Sequence, residues 1–160
     1  MSKLAAVFGS NYQSQKHNLV IRKFVLNGVE FSVRIPLAND LSKIYDRISD
    51  INETKVKAIF EELSAPLLKF KDAESEELQF VDDDVLVQGR SMREAARTKC
   101  MTENKIVEFI KLLVPVEEGA SMDDITYDDI AAEWPMSVQL LMVEKISEVI
   151  APTYKESRGN

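Results

Sequence analysis

Apolar and polar positions alternate on both sides of Asn27-Gly28 in the stretch LVIRKFVLNGVEFSVRIP. Alternation with a period of two is the mark of a strand with one buried face. Asn-Gly supplies the two positive φ angles that a type I′ turn needs. A two-residue turn here predicts the pairs Leu26 with Val29, Phe24 with Phe31, Arg22 with Val33 and Val20 with Ile35. That face is apolar except for Arg22, while Lys23, Glu30, Ser32 and Arg34 lie opposite. Pro36 ends the pattern.

The period then changes to that of a helix. Asn39 or Asp40 can cap a helix running to Ser49, with Leu41, Ile44, Tyr45 and Ile48 on its inner face. Asn52 is placed to cap a second helix whose stripe is Val56, Ile59, Phe60 and Leu63. Pro66 interrupts it, and Leu67, Leu68 and Phe70 suit one further turn. LQFVDDDVLVQG has apolar runs flanking three aspartates, which fits a second hairpin near 78–88 or an irregular loop feeding a strand. Ser91-Met92-Arg93-Glu94 reads as a capping box that opens a helix to Thr98. Thr102 restarts or continues it with Ile106, Phe109, Ile110 and Leu113 inward, and Pro115 stops it. Thr126 can cap a short helix through Ala132. Residues 1–17 show no clear period and read as a weakly specified N-terminal segment. Residues 153–160 read as a tail. The expectation is one α+β domain over 18–152, with an N-terminal hairpin, open to extension by the second hairpin near 78–88, packed against a mainly helical remainder.

The last helix has the least usual pattern. Pro135 suits its first position, and it runs from Met136 to Ile150. Val138, Leu141, Met142, Ile146 and Val149 form a stripe at offsets of three and four. Met136, Leu140, Val143 and Ile150 widen that stripe beyond what one packed face needs. The helix is either gripped on several sides by its own domain or has a face to lend to another chain. On the second reading Val138, Leu141, Met142 and Ile146 are the contact residues, with Trp134 at the edge. Methionine suits an adaptable apolar contact, and tryptophan is common at interface hot spots, although it also fills cores.

Composition narrows the function classes. The 160 residues are 45% hydrophobic and 29% charged, with a formal net charge of −7 and a pI of 4.9. Such a surface is poorly suited to nucleic acid, whose affinity comes largely from neutralising phosphates with Lys and Arg, or to anionic lipid. No run reaches the roughly 18 apolar residues of a membrane span. Cys100 is the only cysteine, so no intramolecular disulfide forms, as suits a reducing compartment.

Chemistry-bearing motifs are scarce. His17 is the only histidine and lies in a polar stretch with nothing resembling a triad around it. The five glycines stand far apart, so there is no phosphate loop. Asp82-Asp83-Asp84 lacks the glycine and terminal glutamate of a calcium loop, and a solvated turn explains it better than a cation site. Asp123, Asp124, Asp128 and Asp129 suit the start of a helix, where acids complement the dipole. No cofactor or metal is expected.

Taken with the hairpin FVLNGVEFSVRIP, the later segments GRSMREAARTKCMTENKIVEFIKLLVP and DDITYDDIAAEWPMSVQLLMVEKISEVIAPTYKESRGN give the chain a family look. It resembles the tail assembly chaperones of long-tailed bacteriophages, most over residues 85–160 and more loosely over 18–50. The resemblance implies a non-catalytic protein of the infected bacterial cytoplasm that is absent from the mature virion. It implies binding to a helical tape-measure protein, recruitment of tail-tube subunits, and a short product paired with a frameshifted longer one. Gly159-Asn160 codons could spell the slippery run. Self-association is open on this reading. Two other classes compete: an acidic adaptor or DNA-mimicking inhibitor, and an enzyme working with carboxylates.

Overall fold

The computed structural model describes residues 2–73 and 75–151. The expected tail at 153–160 lies outside them. The fold is α+β: six α-helices accompany a two-stranded and a three-stranded antiparallel sheet among the described residues. The chain divides into two compact units, one of Met1–Ser42 with Ile106–Asn160, the other of Lys43–Lys105.

In the first unit, strands β1 (Ile21–Leu26) and β2 (Val29–Arg34) form the expected hairpin in the expected register: Leu26 opposite Val29, Phe24 opposite Phe31, Arg22 opposite Val33. The turn holds Asn27 at φ 51° and Gly28 at φ 84°, the paired positive angles of a type I′ turn. Phe24 and Phe31 stack across the strands at 5.6 Å, and Val33 and Leu26 are buried. Arg22, the one charge on this face, donates to the Val149 carbonyl at 3.1 Å. That carbonyl lies in the last turn of helix α6 (Met136–Ile150), where oxygens lack intrahelical partners and a cation suits the dipole. The hairpin packs against α6.

Residues 112–114 add a short third rung that the sequence pattern hides. Arg34 N–H donates to the Leu112 carbonyl at 2.9 Å and Val114 N–H to the Ser32 carbonyl at 2.8 Å. Leu113 was expected inside a helix; the helix ends at Ile110 and Leu113 bridges Val33 instead. Pro115 favours this, because it pushes Val114 out of the helical region toward extended backbone. Ile106, Phe109, Ile110, Leu112, Ile130, Met142 and Ile146 make up much of the buried core of this unit.

The N-terminal stretch is helical where the sequence pattern announced no helix. Helix α1 spans Lys3–Gln15, with the Ser2 hydroxyl accepting from Ala5 N–H. Gly9 breaks its regularity at φ 84°, a conformation glycine adopts without penalty. The helix has no 3.6-residue period long enough to announce itself, and its cap is a single serine at the second residue.

In the second unit, helix α3 (Glu53–Ser64) starts on Asn52, whose Oδ1 accepts from Thr54 and Lys55 N–H at 2.9 and 3.2 Å. Its Val56 and Ile59 meet Ala96 and Cys100 of helix α4 (Met92–Ile110) in a buried cluster. Helix α4 runs unbroken from Met92 to Ile110. Of the two readings at Thr102, restart or continuation, the helix takes the second, since no Gly or Pro breaks the run. Cys100 is therefore a mid-helix core residue. Lys55 pairs with the nearly buried Glu103 at 2.8 Å. Asn104 Nδ2 donates to the Ile48 carbonyl in the last turn of helix α2 (Ala38–Ser49) and to the Asp50 carbonyl just beyond it. Strands β3 (Leu78–Val81), β4 (Asp84–Val87) and β5 (Arg90–Ser91) form a separate sheet in that order. The second hairpin thus exists, with Asp82 and Asp83 in its turn, but it does not extend the first.

Candidate functional site

The aspartate run separates into different jobs. Asp82 and Asp83 are exposed in the turn. Asp84 is tied down: its Oδ1 accepts from the Arg93 N–H at 3.0 Å and its Oδ2 from the Ser91 hydroxyl. Arg93 in turn donates to the Asp83 carbonyl and lies 4.4 Å over the Phe60 ring. Burial alone would push the Asp84 carboxyl up. The Ser91 hydroxyl, the Arg93 and Val85 N–H groups and the Arg93 charge outweigh it and hold the carboxyl below its usual range. Asp84 is thereby an anchor for the start of α4, where a carboxylate satisfies orphan N–H donors. The Ser91 hydroxyl also accepts from Glu94 N–H, the half of the expected capping box that faces the backbone. Among the described residues no three His, Cys, Asp or Glu side chains group to hold a metal ion. His17 is exposed.

The five residues expected to meet a partner separate by burial. Met142 and Ile146 are 1% and 0% exposed, so this chain's own core takes them. Trp134, Val138 and Leu141 are half-buried. The apolar side chains that α6 leaves in solvent are Met136 and Leu140, at 45% and 49% exposure. One turn apart, they share a face. Packing against the hairpin selects one side of the broad apolar arc and leaves these two on the other.

A second apolar surface opens beside Trp134. Helix α5 (Tyr127–Glu133) begins on Thr126 in a complete capping box, with Asp129 Oδ2 accepting from Thr126 N–H at 2.9 Å. Those hydrogen bonds, first from the Thr126 N–H and then from its hydroxyl, hold the exposed Asp129 carboxyl below its usual range. The corner between α5 and α6 is fixed twice. Trp134 N–H donates to the Ile130 carbonyl, and Gln139 Nε2 donates to the Trp134 carbonyl at 2.8 Å. The indole then sits edge-on to Phe31, 6.4 Å between centroids. Ile110, Met122, Ile125, Ile130 and Trp134 line a groove of about 280 Å³, with Asp129 and Glu133 as its polar members.

The charge along this part of the chain is lopsided. Glu117, Glu118, Asp123, Asp124, Asp128, Asp129, Glu133 and Glu144 are all exposed, and no Lys or Arg occurs between Lys111 and Lys145. The rest of the chain holds twenty Lys and Arg against nineteen Asp and Glu. The chain's whole net negative charge therefore belongs to residues 112–144. The signal was present in the sequence as a stretch without a cation. Reading the acids one by one as helix-start residues hid it.

Comparison with protein-family models, with curated proteins and with solved structures finds no match. No helix among the described residues is long and apolar enough to cross a membrane.

Proposed function

We propose that this protein is a tail assembly chaperone of a long-tailed bacteriophage, a non-catalytic helper that covers apolar stripes of a tape-measure protein and brings tail-tube subunits to it. The phage assignment rests on the resemblance of residues 85–160. The observation that supports a binding role is the apolar surface that the first unit leaves open: Met136 and Leu140 on α6, and the groove ending at Trp134. Exposed apolar surface of this kind on a folded chain marks an interaction site. Met142 and Ile146, being core residues, contribute by holding α6 in place, and Trp134, Val138 and Leu141 border the contact. On this reading the protein acts in the host bacterial cytoplasm, leaves before the virion matures, and is the short partner of a frameshifted longer form.

The test is affinity capture of the tagged protein from its phage-producing host, with mass spectrometry. Recovery of the tape-measure and tail-tube proteins is the expected result. One observation favours a second reading, an acidic adaptor or DNA mimic: the eight exposed carboxylates of residues 112–144 with no intervening cation. Recovery of a nuclease or polymerase in place of tail proteins would select it.

A further inference from the structure

We infer that the groove lined by Met122, Ile125, Ile130 and Trp134 is a docking site for a cationic amphipathic helix of a protein partner. This deepens the chaperone reading. It depends on that reading for which protein the partner is, but not for the partner's chemistry.

Three observations lead there. The groove wall is apolar, so its occupant brings apolar side chains. Its two polar lining residues, Asp129 and Glu133, are both acidic, and they belong to a stretch of chain, Glu117 to Glu144, whose carboxylates all stand in solvent with no Lys or Arg between them in sequence. An approaching acidic or neutral segment meets repulsion or nothing, whereas Lys and Arg are drawn in and held at the rim. Finally, the site is firm where it needs to be. The capping box at Thr126 and Asp129 fixes the start of α5, and Gln139 clamps the Trp134 carbonyl. A preformed wall spends little ordering entropy on binding. The matching ligand is a helix with apolar residues at i, i+3, i+4 and i+7 and Lys or Arg on its flanks.

The groove contains the protein's only tryptophan, which makes occupancy directly readable. The probe is a synthetic Leu/Lys peptide of about 15 residues with leucines at helical spacing, long enough to fold on a surface. Two comparison peptides carry Glu in place of Lys, or Ser in place of Leu. The Leu/Lys peptide is expected to bind and shift Trp134 emission, and the other two to bind at least tenfold more weakly, the order set by a few rim charges or one apolar anchor. The double variant Asp128→Lys with Glu133→Lys, both at exposed positions, is expected to weaken binding about tenfold. The double variant Glu61→Lys with Glu62→Lys makes the same charge change at exposed positions on α3 and is expected to bind as the natural protein does. Ile125→Ser, at a half-buried position, is expected to weaken binding without altering its salt dependence.

Equal binding of the Leu/Glu peptide would overturn the inference. So would equal weakening by the two charge-reversal pairs, or binding that leaves Trp134 emission unchanged. Peptide binding without capture of tail proteins would leave the groove standing and remove the chaperone. Capture of tail proteins that survives the Asp128→Lys, Glu133→Lys pair would do the reverse.

Discussion

Truncating Ile146 distinguishes a core helix from a lent one. Ile146 is 0% exposed, whereas Leu140, earlier on α6, is 49% exposed. Ile146→Ala removes three buried carbons, a transfer loss of roughly 2.4 kcal/mol at about 0.8 kcal/mol per methylene. The surrounding hairpin and helix relax only partly into the gap, and the cavity brings the total to about 3–4 kcal/mol. Leu140→Ala loses about half of a comparable transfer term and opens no cavity, so about 1 kcal/mol is expected, reduced by a few tenths for the better helix propensity of alanine. Urea unfolding followed by Trp134 fluorescence reads the unit that contains both positions. With a slope of roughly 2 kcal/mol per molar, Ile146→Ala lowers the midpoint by about 1.5–2 M and Leu140→Ala by about 0.5 M or less. Equal shifts, or an unchanged midpoint for Ile146→Ala, would refute the assignment of α6's inner face. In the capture experiment the order reverses: Leu140→Asp, which leaves the core intact, is expected to reduce partner recovery.

Asp84→Ala removes the anchor of α4 and is expected to cost about 1–2 kcal/mol at neutral pH. Because the folded carboxyl lies below its ordinary 3.8, that contribution is complete above the ordinary value and is lost as pH falls through the folded one. The stability difference between natural and variant protein should therefore shrink in acid, as followed by urea unfolding between pH 6 and pH 3 in steps of roughly one unit. Gly28→Ala meets no atom within 4 Å, yet its φ of 84° strains any side chain. About 1 kcal/mol is expected by thermal unfolding, and a neutral result would mean that the turn relaxes to another type. Raising salt to about 1 M shortens the Debye length to about 3 Å. Sedimentation velocity should then show more self-association than at about 0.05 M salt, with the Asp128→Lys, Glu133→Lys pair associating more readily at the lower salt.

Local chemistry made much of this fold legible. Asn27-Gly28 fixed the hairpin register, because only a two-residue positive-φ turn suits that dipeptide. Pro135 and the length of the apolar run located α6, with Pro135 as its N-cap rather than its first residue, and Thr126 announced α5. What sequence hid was set by partners distant along the chain. Leu113 leaves the helical pattern because β2 offers it a ladder place. Asp84 acquires its role from Ser91 and Arg93, seven and nine residues on. The broad arc of α6 could not reveal its inward side, since Met142 and Leu140 are equally apolar and only the position of the hairpin tells them apart. The groove was hidden for a similar reason: Ile110, Met122 and Ile130 come from a helix, a loop and a second helix.

An open apolar groove is a liability for any protein present in many copies, because the surface that fits a partner also fits a second copy imperfectly. The charge distribution answers both needs with the same residues. Asp129 and Glu133 in the groove wall, with the other exposed carboxylates of the same segment, repel an identical site on another molecule, since both carry the same sign. The same field attracts a basic helix from several ångströms away and fixes which of its faces turns inward. Had the acids been spread evenly over the chain, a net charge of −7 would have aided solubility but selected nothing. Their concentration between Lys111 and Lys145, against a nearly neutral remainder, ties solubility and selection to the segment that builds most of the groove. An acidic segment without a groove would be a solvated face, and a groove without the acids would be an aggregation site. Their coincidence around Trp134 is what makes recognition of a cationic, amphipathic helix the physically consistent reading.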